Sequence, residues 1–289
     1  MKTYENPAKL FLESHSVEGI DDVLAYADFL RNSSGISANP PILLEKIFNQ
    51  FGMQIPKFVP LPQQQGMIIP LESPQIIIHS GDSVSRQRYS IAHELVELLF
   101  MELSGRKRFD GKKENIFGDA EKERVCQTAA AHLLMPSDSF QHRSTELGLI
   151  FNSATILAEE YQVSLMAALC RLVDMYSRQA VVVLWQMMNK PADKKKQVSK
   201  EQITLPGFDP ALCLPKKLRV SWQYGKFKDV FIPRYKSIPE DSSVYKAWDT
   251  NLFTSGEENI PFGRYNRKAI IENQSFHIQS EKYVLSLIR

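Results

Sequence analysis

The feature that most limits how this chain can fold is a change of apolar periodicity near residue 178. Before it, apolar side chains recur at helical spacing. Ile20, Val23, Leu24, Tyr26, Ala27 and Leu30 form one such set; Leu43, Leu44, Ile47 and Phe48 form another; residues 86–103 form the longest. Beyond it, residues 180–188, 218–224, 227–232, 269–272 and 283–288 read as strands. Between these regimes, residues 54–79 hold short Pro-punctuated apolar runs (55–60, 67–69 and 76–78), which read as two or three strands. The pattern predicts an α+β protein: a helical part with a small sheet, then a β-rich C-terminal part. Three segments follow: a helical extension at 1–37, a central domain at 38–178 and a β-rich domain at 179–289. Within the central domain, Gly52 stops a short helix opened by Asn39-Pro40-Pro41. A helix over about 120–134 ends at Met135-Pro136, and two more lie within 137–177.

With 43% hydrophobic and 24% charged residues, the 289-residue chain is too apolar to be disordered and long enough for about two cores. A net charge of +2 gives no general reason to expect nucleic acid or membrane binding, although the front half is mildly acidic and the back half basic. No apolar run nears the ~20 residues of a membrane span, and the first residues lack the apolar core of a signal peptide. Cys126, Cys170 and Cys213 stand too far apart for a CxxC pair or a disulfide framework, so a reducing cytoplasm is the expected home.

Chemistry concentrates in the 86–103 helix. His93 and Glu97 are four residues apart and project from one face, one turn apart, as a helix offers two ligands to one metal. Glu94 lies about 100° round, free to activate a water as general base. The same residues, with Ser90, would also make the polar stripe of an ordinary amphipathic helix. Glu123, near the start of the next helix, changes that balance by adding a third ligand. Taken alone it would be an N-terminal charge favoured by the helix dipole. Cys126, Ala129, Ala130 and Leu133 give its helix a small apolar face on which another helix can approach closely.

Residues 86–95, RQRYSIAHEL, resemble the "RxRFTLAHELGH" segment of the ImmA/IrrE metallopeptidases. Residues 123–136 resemble their "ExxANxFAAxLLMP" segment, and 157–164 are similar to their "LAxxFxVS" helix pair. Together with the strands at 66–79, the resemblance covers about residues 38–175. It implies a cytoplasmic zinc-dependent endopeptidase with a gluzincin-like core, acting on a protein substrate such as a helix-turn-helix repressor. His93, Glu97 and Glu123 would then hold the metal, and Glu94 would be the catalytic base.

Three positions depart from the family pattern. Glu97 replaces the second His, Gln127 replaces an Asn or Asp, and Ala129 replaces a Phe. Gln127 is expected to orient His93 through its ring nitrogen. One imidazole and two carboxylates make a harder, more negative set, which tilts metal preference from zinc toward manganese or iron and weakens the ion as a Lewis acid. Two alternatives follow: a catalytically dead relative that sequesters a repressor, and a DNA-binding regulator. Residues 155–175 have helix-turn-helix form, but Leu165, Met166, Ala167 and Ala168 stand where base-reading side chains belong, with only Arg171 later. That argues for a packing role. A basic cluster at 106–113 is expected to be a loop near the cleft mouth. His79, His132 and His142 lack spaced partners, and His132 is expected to be a satisfied core or rim histidine. The β-rich domain is assigned a sensory or substrate-gating role.

Overall fold

Asn6 starts the first helix, α1 (Pro7–Leu12), by accepting hydrogen bonds from the amides of Ala8 and Lys9, with Pro7 in the position where a missing amide costs nothing. The computed structural model describes residues 3–110, 117–176, 179–191, 216–227, 232–262, 265–278 and 280–289. Helices α2 (Ile20–Ser33) and α3 (Leu44–Gln50) follow, and Gly52, at φ +61°, ends α3 as its sequence position implies.

Strands β1 (Lys57–Val59), β2 (Gly66–Ile69) and β3 (Gln75–His79) form a sheet of order β1-β3-β2. β1 runs parallel to β3, and β2 antiparallel with Gly66 opposite Ile78. Gln75, Ile76, Ile77 and Ile78 are all buried, because the central strand is covered on both faces.

Helix α4 (Val84–Asp110) is longer than the expected 86–103 and takes in the start of the basic cluster; Lys112 and Lys113 lie outside the described residues. Ala92, Leu95, Val96 and Leu99 are completely buried along one stripe of α4. Each Leu or Val there contributes about 2 kcal/mol of apolar burial. Helix α5 (Asp119–Leu134) packs on both α4 and α2, with Cys126, Ala129, Ala130 and Leu133 fully buried and Cys126 against Glu97 of α4. Small residues let the α4 and α5 backbones approach closely enough for polar side chains on their flanks to converge.

Residues 137–175 hold three helices, not two: α6 (Ser137–Leu147), α7 (Phe151–Tyr161) and α8 (Leu165–Met175). Sequence SDSFQHRSTEL buries only Phe140 and Ser144, too few to give α6 a visible stripe. Between α7 and α8, Gln162 takes the left-handed conformation (φ 52°), and the Ser164 hydroxyl accepts from the Ala167 amide.

The chain divides into two compact units, Met1–Leu147 with Ala154–Arg171, and Gly148–Ser153 with Leu172–Arg289. The N-terminal helices are built into the first: Asn6 donates to Glu102 of α4 at 3.1 Å, and α2 packs on α5. The second unit is a five-stranded antiparallel sheet of order β5-β4-β8-β7-β6, from β4 (Gln179–Met188), β5 (Lys217–Phe227), β6 (Thr254–Phe262), β7 (Tyr265–Ile278) and β8 (Glu281–Ile288). Helix α9 (Ser243–Thr250) packs on it, with Val244 and Ala247 joining Val183, Trp185, Val220, Ile271 and Val284 in one buried core. Neither α9 nor β6 is visible in the sequence pattern. The strand expected at 227–232 falls largely outside the described residues, as do Cys213 and the Lys-rich segment after Pro191. Among the described residues, no helix is long and apolar enough to cross a membrane.

Candidate metal centre

On α4, the i,i+4 spacing of His93 and Glu97 brings His93 Nε2 within 3.9 Å of Glu97 Oε1. From α5, Glu123 Oε2 comes within 3.7 Å of the same ring nitrogen. One donor atom from each of the three lies within 4.8 Å of the others. None of these separations is a hydrogen bond. The donors face a common point without touching.

The outer side of each carboxylate is occupied. Gln127 donates its amide to Glu123 Oε1 at 2.7 Å, so its bond goes to the carboxylate instead of to the His93 ring, where it was expected. Lys122 places Nζ 2.6 Å from Glu97 Oε2 and 5.4 Å from the centre of the Phe100 ring. The Cys126 thiol donates to Glu97 Oε1 at 3.3 Å. Burial, reinforced by the Glu97 charge, pushes the Cys126 thiol far above its ordinary range, so it remains a protonated donor. Tyr89 ties α4 to α5 through a hydrogen bond to the Gln127 carbonyl at 3.3 Å; burial, with Glu123 nearby, pushes its pKa up to about 12.

Glu94 lies on the buried flank of this cluster, 9% exposed. Burial, and then the charges of Glu97 and Glu123, push its carboxyl up to about 7, against an opposing pull from Lys122. The space it occupies depends on a glycine. A β-carbon at Gly66 would stand 2.8 Å from Glu94 Oε1 and 3.3 Å from Ile78 Cδ1, so the carboxylate holds this position only because residue 66 has no side chain.

Glu123 sits one turn inside α5, behind Asp119 and Glu121, so the helix-end explanation offered by its sequence position does not account for it. Lys122, Gly66 and Cys126 also belong to the site, although no motif or spacing in the sequence marks them as functional. Lys122 carried one signal, a cation adjacent to the candidate acid. Arg171, the one basic residue late in the helix-turn-helix-like pair, turns inward, donating to Ser137 Oγ at 2.9 Å and to the Met135 carbonyl at 3.2 Å. His132 is buried and pairs through Nε2 with Asp28 Oδ1 at 2.8 Å, a satisfied core histidine.

Residues 53–173, which carry every residue of this cluster, match the family model of a peptidase, the IrrE N-terminal-like domain. The chain carries an IrrE N-terminal-like domain. No curated protein matches the sequence. Among solved structures, the chain is similar to one titled Mycobacterium tuberculosis transcriptional regulator, with a TM-score of 0.57 and 10% identity over 92% of this chain and 75% of that one. At that identity the likeness is one of fold. The IrrE-like domain thus spans β1 to α8 and presents its His/Glu/Glu cluster between α4 and α5.

Proposed function

We propose that the chain is a metal-dependent endopeptidase that cleaves a regulatory protein, such as a helix-turn-helix repressor. In this reading His93, Glu97 and Glu123 hold the metal and Glu94 is the general base. The observation that carries it is the convergence of three donors that face one another beyond hydrogen-bond distance while the outer oxygens of the two carboxylates are tied elsewhere. A divalent ion held there supplies Lewis acidity that polarises a scissile carbonyl and makes a water easier to deprotonate. Zinc fits the site, and the two hard carboxylate ligands tilt it toward manganese or iron.

Glu94 is suited to move the proton. Burial holds its carboxyl above the ordinary carboxylate range, which suits a group that takes a proton from water and returns it to the leaving amine. Strand β2 is an edge of its sheet and abuts Glu94 at Gly66, so an extended polypeptide paired along β2 would run past the base. That supports a protein substrate over a small molecule. The structural neighbour's title gives a transcriptional setting for the same fold, in keeping with a regulatory substrate.

One observation favours a second reading, the catalytically dead relative that binds a repressor. Lys122 already brings a cation to Glu97, so the chain could satisfy the cluster without a metal. Elemental analysis of the purified chain, with Glu94→Gln beside it, decides between the two. The endopeptidase reading expects about one metal per chain in both, with cleavage of a candidate repressor lowered roughly 100-fold or more in the variant. A native chain that holds no metal and takes up no zinc, manganese or iron would remove the enzyme.

A further inference from the structure

We propose that Lys122 is a positioning residue of the metal centre, which makes Glu97 behave as a single neutral-like donor, as an imidazole would. The inference rests on the ligand reading above and goes beyond it. The two carboxylates of the cluster are sorted oxygen by oxygen. Glu97 Oε1 faces His93 at 3.9 Å while Oε2 is held by the Lys122 ammonium at 2.6 Å. Glu123 Oε2 faces His93 at 3.7 Å while Oε1 is held by the Gln127 amide at 2.7 Å. A carboxylate with both oxygens free can grip a cation with both, whereas one whose outer oxygen is engaged presents one. Both clamps come from α5, one residue before Glu123 and four after it.

Lys122 also corrects the charge. Two carboxylates and a neutral imidazole carry two negative charges, and the ammonium cancels one, leaving the charge of a two-imidazole, one-carboxylate set. The excess charge that would weaken the ion as a Lewis acid is thereby offset. Its ammonium is not a passing surface contact. Glu97 is only 17% exposed and Lys122 36%, and the Phe100 ring lies beneath Nζ. The Cys126 thiol, donating to Oε1, restrains the same carboxylate from its other side.

Cobalt substitution of the full chain tests this. The visible absorption of cobalt is strong at a four-coordinate site and weak at a six-coordinate one, and it needs no substrate. Wild type is expected to bind one cobalt with strong absorption. Lys122→Met should bind the same amount with clearly weaker absorption, and should shift competition from zinc toward manganese by about tenfold. Lys122→Arg, which keeps the charge, should recover most of both. If Lys122→Met matches wild type in spectrum and in zinc-to-manganese ratio, the lysine is a surface ion pair and the proposal is overturned. If wild type binds no cobalt but Lys122→Met does, the lysine substitutes for the metal, and the endopeptidase reading falls as well. If neither chain binds cobalt, the ligand set itself is wrong.

Discussion

Two histidine clusters in the first unit use nearly the same ingredients to opposite ends. At His132, between α2, α5 and the turn before α6, an imidazole meets the Asp28 carboxylate at 2.8 Å and the Ser137 hydroxyl at 3.3 Å, with the Arg171 guanidinium at 3.4 Å. Around His93, an imidazole meets two carboxylates and a nearby ammonium, yet both carboxylates stay 3.7–3.9 Å from the ring. The His132 cluster is closed: its partners are spent on one another, and 7% exposure leaves no room for a ligand. The His93 cluster is held open, because Lys122 and Gln127 draw the carboxylates outward. The contrast teaches that residue type alone does not distinguish a structural polar cluster from a binding site. What distinguishes them is whether the imidazole itself is bonded: His132 is, and His93 stands beyond hydrogen-bond distance of both carboxylates.

The comparison breaks most visibly when each histidine is removed. His93→Ala and Glu123→Ala should strip the metal and reduce cleavage by at least about 100-fold, while the metal-free fold changes by less than about 0.5 kcal/mol. His132→Ala should do the reverse, costing about 2 kcal/mol because Asp28 and Arg171 lose a buried partner, with metal content intact. Urea unfolding of the metal-free proteins beside elemental analysis gives both numbers. Equal destabilisation by His93→Ala and His132→Ala would make the His93 cluster structural after all.

A smaller effect sharpens the open cluster. Gly66→Ala puts a β-carbon 2.8 Å from Glu94 Oε1, closer than carbon and oxygen pack, so the carboxylate must shift although no ligand is touched. Turnover should fall about tenfold with metal content unchanged, since displacement of a base by a fraction of an ångström is costly in rate but not in folding. Retained full activity would mean that Glu94 does not work from the position described.

Much of the first unit was legible in the sequence because its information is local. His93 and Glu97 share a helix face by spacing alone, and the small face of α5 announced that a second helix would approach. The α+β class followed from the change of apolar period, and the strands at 57–59, 66–69 and 75–79 from Pro-bounded apolar runs. The clamps were not legible. Whether Lys122 reaches Glu97 or solvent is decided by the rotamers of two long side chains on different helices. The need for glycine at 66 is decided by how closely β2 packs on α4. The sequence pattern suggests Gln127 as a partner of His93, but its helix places it four residues from Glu123, and the shorter reach wins. In the second unit, β6 has sequence TSGEENIPF, poor in strand formers, and is a strand because β7 pairs with it. Helix α9 is only eight residues, too short for periodicity to show; Ser242 caps it by accepting from the Tyr245 amide.

The smallest effect belongs to the closed cluster and depends on pH. Burial works to raise the Asp28 carboxyl, but the hydrogen bond and charge of His132, with Arg31 behind it, more than offset this and hold it below its ordinary value. A carboxyl lowered on folding adds stability at pH values above its unfolded pKa, and that stability is lost as pH falls through the folded value. Asp28→Asn keeps the shape and removes the charge. It should cost about 1 kcal/mol at pH 7, a modest figure because the Asp28 side chain is 40% exposed and its ion pairs are partly screened by water. The gap between the two proteins should then narrow below the ordinary carboxylate value of about 4, where the unfolded wild-type chain takes up a proton that the folded chain still resists. Thermal midpoints measured between neutral and acid pH read this directly. A gap that stays constant across that range would mean Asp28 contributes through packing, and that the closed cluster is held by Ser137 and Arg171 without it.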